Sequence, residues 1–109
     1  MLETLFGNRT MEKVLFFLYS HGEGYAQEIR RKLNLPLRSV QLQLQRMEQG
    51  GILFCRQRDR TLVYQLNPRY PFYKDLIAII DKSLLSLPEE TRRTLYTPRL
   101  RPRRRGKPL

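Results

Sequence analysis

Apolar residues recur along the first half of this chain at spacings of three and four. Met11, Val14, Leu15, Leu18 and Tyr19 form one such stripe, which predicts a helix capped by Asn8 or Thr10 and closed by His21-Gly22-Glu23-Gly24. Ala26, Ile29 and Leu33 form a second stripe, with Glu28, Arg30, Arg31 and Lys32 on the other faces. Asn34-Leu35-Pro36 then reads as a tight turn into a third helix, with Pro36 near its first position, where the missing N–H costs nothing.

The third segment has two periodicities. Val40-Gln41-Leu42-Gln43-Leu44-Gln45 alternates apolar and polar, as a half-buried strand would. Read at 100° per residue, however, Leu37, Val40, Leu44 and Met47 share a face. Leu37 to Gln49 is too long for a typical strand of about five or six residues. A proline opens it and Gly50-Gly51 ends it, which is helix punctuation. It is therefore predicted to be a helix.

Ile52–Arg58 and Thr61–Leu66 are rich in β-branched and aromatic residues, and Asp59-Arg60 between them predicts the turn of a β-hairpin. After Asn67-Pro68, helical periodicity returns. Phe72, Leu76, Ile79, Ile80 and Leu84 are expected to cover a core, with Tyr73 and Ile77 beside them. Pro88 ends this helix, and Glu89 to Tyr96 has room for one or two further turns. The fold class is thus α+β, mainly α: a three-helix core, a hairpin and a C-terminal helix, in one domain over residues 1–96. Residues 97–109 are Pro- and Arg-rich and are expected to form a disordered basic tail.

Charge sharpens this picture. The 109 residues carry a formal net charge of +11. An excess this large points to a polyanionic partner. The tail holds Arg99, Arg101, Arg103, Arg104, Arg105 and Lys107 and no acid, yet the rest of the chain is still basic. The tail is expected to add phosphate contacts that do not depend on base sequence.

Several chemistries are poorly served. One cysteine, Cys55, allows no intrachain disulfide and suits a reducing cytoplasm; it is expected to face the core. With one histidine, His21, and no Cys-x-x-Cys pair, no metal site and no cofactor are expected. No apolar run approaches the roughly 20 residues that cross a bilayer, and the N-terminus has no signal-peptide core. There is no Ser/His/Asp or Cys/His set and no glycine-rich phosphate loop, so the chain is not expected to be an enzyme.

The order helix, helix–turn–helix, hairpin, helix resembles the winged helix-turn-helix of ArsR- and MarR-type transcription regulators. The matching stretches are Ala26-Gln27-Glu28-Ile29, Leu33-Asn34-Leu35, Ser39-Val40, Leu44 to Glu48, Gly51-Ile52-Leu53 and Val63 to Pro68. The opening LFGNRTMEKVLFFL also looks like stand-alone winged-helix proteins related to domains found beside small nucleotidyltransferases. The metal-sensing ArsR pattern is missing: Asp75 and Asp81 on the last long helix have no histidine near them in sequence.

The resemblance implies a cytoplasmic, nucleoid-associated, homodimeric prokaryotic regulator that binds double-stranded DNA. The helix at about 37–49 would enter the major groove, and the wing at 56–61 would meet the backbone or minor groove. Arg38, Gln41, Leu42 and Gln45 would read bases, since glutamine matches adenine N6/N7, arginine matches guanine O6/N7 and leucine can press on a thymine methyl. Arg30, Arg31, Lys32, Ser39, Arg46, Arg56, Arg58 and Arg60 would hold phosphates or serve the wing. Tyr73, Leu76, Ile77, Ile80 and Leu84 would form the dimer interface. A protein-interaction adaptor, such as a nucleotidyltransferase partner, and a nonspecific nucleic-acid binder are the alternatives.

Overall fold

A computed structural model describes residues 7–96. Leu2, Leu5 and Phe6, an apolar patch in the sequence, and the tail expected at 97–109 lie outside the described residues.

Helix α1 spans Arg9–His21. Asn8, not Thr10, is its cap, and its side chain accepts from the Met11 N–H at 2.9 Å. Gly22, at φ 87°, closes it by donating its N–H to the Leu18 carbonyl. Helix α2 (Ala26–Leu33) ends at Asn34, which adopts the left-handed conformation at φ 56°, and the chain turns through Leu35-Pro36 into α3 (Leu37–Gln49). The helical periodicity of the third segment thus prevails over its alternation. Pro36 precedes the first helical residue and serves as the cap position.

Strands β1 (Leu53–Arg58) and β2 (Thr61–Leu66) pair antiparallel in the register Leu53↔Leu66 to Arg58↔Thr61. Asp59 makes the turn at φ 57°. Gly24 adds a single-residue bridge to the free edge of β2, with reciprocal backbone bonds to Tyr64 at 2.8 and 3.1 Å. A side chain cannot fit there: a Cβ on Gly24 would sit 2.9 Å from the Phe17 ring. Helix α4 (Tyr73–Leu85) and the short α5 (Glu89–Leu95) complete the described chain.

Helix α1 is more central than its stripe suggests. Val14 through Leu18 are all buried in succession, because α2, α3, α4 and β2 all pack around it. Phe16 also meets Tyr96, after α5, edge to face at 5.5 Å. The core gathers these residues with Ile29, Leu33, Val40, Leu44, Met47, Leu53, Tyr64, Leu76, Ile80 and Leu84. Each large apolar side chain removed from water in this way contributes about 1.5–3 kcal/mol. On the surface, the Tyr19 hydroxyl donates to Asp81 at 3.0 Å and ties α1 to α4.

Helix α4 departs from the sequence expectation. Phe72, expected over the core, precedes the helix and is 61% exposed, and Ile79 is exposed as well. Leu76, Ile80 and Leu84, expected at a dimer interface, are buried in the chain's own core and have almost no surface to give to a partner. Apolar periodicity showed that the helix has two apolar sides; only packing shows which side α1 covers.

Candidate nucleic-acid interface

Val40, Leu44 and Met47 fix the rotation of α3 by packing inward. The opposite side therefore presents Arg38, Gln41, Leu42, Gln45, Arg46 and Gln49 to solvent, with Leu42 44% exposed. Ser39 is half-buried beside the first turn. Gln43 breaks the pattern of its neighbours: it is 3% exposed, and among the described residues its Oε1 has no hydrogen-bond partner.

Gln41 and Gln45, one turn apart, line an open groove of about 340 Å³ between α3 and the wing. Its other walls are Tyr25, Ala26 and Gln27 at the start of α2, and Arg60, Thr61, Leu62 and Tyr64 of the hairpin. Leu44, Leu62 and Tyr64 give the groove apolar surface, and Gln27, Gln41, Gln45 and Arg60 give it three amides and a guanidinium. Arg38 and Leu42 lie outside this groove, farther round α3. Arg30, Arg31 and Lys32 are exposed on α2, and Arg31 donates to the Tyr25 hydroxyl at 3.4 Å.

The three wing arginines divide. Side chains alternate across a strand, so Arg56 and Arg58 occupy the hairpin face opposite the one carrying Leu62 and Tyr64. There they meet Glu23. Arg58 grips the carboxylate with two bonds, Nη1 to Oε2 at 2.8 Å and Nη2 to Oε1 at 3.2 Å. Arg56 approaches Oε1 at 3.4 Å, and Gln65 donates to the same oxygen at 3.1 Å. The hydrogen bonds from Arg58, more than its charge, hold the Glu23 carboxyl below its usual range, and Glu23 in turn raises the Arg58 guanidinium. Arg60, at the tip, faces the groove instead.

Cys55 is half-buried against the core, and burial pushes its thiol up. His21 stacks on Phe17 at 4.0 Å and donates Nδ1 to the Phe17 carbonyl at 3.1 Å, at the end of α1. Among the described residues, no group of three His, Cys, Asp or Glu is placed to hold a metal, and no helix is long and apolar enough to cross a membrane. At the start of α4 and along it, Phe72, Ile79 and Leu85 are exposed, the last at 67%, with Tyr73 and Ile77 half-buried.

Sequence reasoning missed Glu23, Tyr25 and Leu62. Glu23 stands between two glycines that signal only a helix stop. The signal available in retrospect is an acid just before a basic helix and a long step from an arginine-rich hairpin.

Neither the models of known protein families nor the characterised sequences match this chain. Solved structures do. The YusO protein from Bacillus subtilis superposes with a TM-score of 0.59 at 20% identity, over 82% of this chain and 71% of that one. The homodimeric winged helix-turn-helix DNA-binding domain of Mb0332 from Mycobacterium bovis, described as a possible ArsR-family transcriptional regulator, gives 0.59 at 18%, over 82% and 80%. MepR, a transcription regulator of the Staphylococcus aureus multidrug efflux pump MepA, gives 0.56 at 18%, over 84% and 74%. The chain therefore has the winged helix-turn-helix fold: α2 and α3 are the helix–turn–helix and β1–β2 the wing. This is the fold found in transcription regulators of the MepR and Mb0332 kind.

Proposed function

We propose that the chain is a prokaryotic transcription regulator that binds double-stranded DNA as a homodimer in the cytoplasm. One observation carries the reading: the exposed amides of Gln41 and Gln45 on α3 and the guanidinium of Arg60 on the wing tip line a single open groove on a strongly basic chain. Helix α3 enters the major groove, with Arg38, Gln41, Leu42 and Gln45 reading base edges. Arg30, Arg31, Lys32, Ser39 and Arg46 hold phosphates and set the register, and the basic tail adds contacts indifferent to sequence.

The fold shared with the homodimeric Mb0332 domain and the exposed apolar residues of α4 both support a dimer. Its interface is assigned to Phe72, Tyr73, Ile77, Ile79 and Leu85, and it would place two α3 helices about one DNA turn apart, roughly 34 Å.

The test is fluorescence anisotropy on duplexes selected from a random pool, at physiological salt, for the wild type and Gln41→Ala. Convergence on a split, near-palindromic site, with the variant losing about 1–3 kcal/mol on that site and nothing on random DNA, is the expected result. No enrichment, with weak salt-sensitive binding unchanged by the variant, would reject base reading. The exposed Leu42 would then direct the search to a protein partner.

A further inference from the structure

Two of the three wing arginines are already occupied, and that decides what the wing can offer DNA. Glu23 is well placed to hold them. It precedes Gly24, whose backbone is locked to Tyr64 of β2 by bonds in both directions. The carboxylate is thereby fixed beside β2 and accepts from three side chains of the hairpin, Arg56, Arg58 and Gln65. The two-bond grip of Arg58 is the strong, directional form of this interaction. A phosphate approaching this face meets guanidiniums whose charge is partly cancelled and a carboxylate that repels it. Arg60 meets neither obstacle, because it lies at the tip on the groove side.

We propose that Glu23 is the positioning residue of the wing: it braces the hairpin against the α1–α2 loop and holds Arg56 and Arg58 away from DNA, so that the wing meets the backbone through Arg60. This rests on the DNA-binding reading above. It also revises the sequence-based roles of Arg56 and Arg58, which become a strut.

The experiment measures the salt dependence of binding to a random-sequence duplex. Each phosphate contact contributes about 0.9 to the slope of log affinity against log salt. Arg60→Gln flattens the slope by about one contact. Arg58→Gln alone leaves it unchanged. Glu23→Gln steepens it by about one contact or more and narrows the gap between selected and random duplexes, and adding Arg58→Gln removes that gain. Glu23→Asp, which keeps the charge, stays near the wild type. If Arg58→Gln alone flattens the slope as much as Arg60→Gln does, the arginine contacts phosphate with Glu23 in place and the proposal is wrong.

A second readout needs no DNA. Amide hydrogen exchange at the hairpin tip, from Arg58 to Leu62, is expected to quicken in Glu23→Gln, and unchanged rates would overturn the brace. A wild type that binds no duplex at any salt refutes the DNA reading, while exchange still decides the brace.

Discussion

The second glutamine of α3 gives the sharpest test of how the helix is used. Gln43 is buried, and its Oε1 lacks a partner among the described residues. A buried, unsatisfied amide oxygen costs about 1–3 kcal/mol relative to a satisfied or solvated one. Methionine has nearly the same length and volume, so Gln43→Met removes the orphan without opening a cavity. The two residues have almost equal helix propensity, so the backbone term cancels. The net expectation is a gain of about 1–2 kcal/mol. In a domain of this size that raises Tm by roughly 4–8 °C per kcal/mol. Urea unfolding followed by circular dichroism reads it as a higher midpoint with an unchanged slope. Affinity for a selected duplex should not move, because Gln43 does not reach the exposed face of α3. A loss of stability would refute the reasoning, and a loss of DNA discrimination with the fold intact would put Gln43 on the reading surface beside Gln41 and Gln45.

Other sites answer in different ways. Gly24→Ala forces a Cβ to within 2.9 Å of the Phe17 ring, and chemical denaturation should show a loss of about 1–3 kcal/mol. On α4, Ile80→Ala should cost about 2–5 kcal/mol because the side chain is fully buried. Leu85→Glu should leave protomer stability within about 0.5 kcal/mol but shift the species seen in sedimentation toward monomer; equal sedimentation of wild type and variant would remove α4 from the interface. The phenols of Tyr64 and Tyr96 are pushed up to about 12, mainly by burial. Unfolded tyrosines ionise near pH 10, so this contribution to stability is intact below about pH 10 and is lost as pH rises toward the folded values. Ultraviolet titration should find these two phenols ionising late, together with alkaline unfolding.

Much of this protein was legible in the chain. Helix boundaries were written in local chemistry: Asn8 as a cap, glycine after α1, asparagine in the left-handed turn after α2, proline and glycines around α3. The wing was written in β-branched residues about a two-residue polar turn. Even the exposed side of α3 followed from the spacing of Val40, Leu44 and Met47, since a helix with one buried stripe has only one rotation to adopt. These features depend on neighbours within a few residues, which a sequence displays directly.

Contacts between distant residues were decided by the tertiary structure alone. Helix α4 carries apolar residues on two sides, and either could have faced the core; docking on α1 buried Leu76, Ile80 and Leu84 and left Phe72, Ile79 and Leu85 outside. Alternation put Arg56 and Arg58 on one strand face, but the acid that holds them lies 33 and 35 residues away, in a loop that reads as punctuation. Gln43 looks like its neighbours Gln41 and Gln45, and only the packing around α3 buries it. Periodicity fixes which residues share a face; which face meets another part of the chain depends on how the elements dock, and the sequence pattern carries no local record of that.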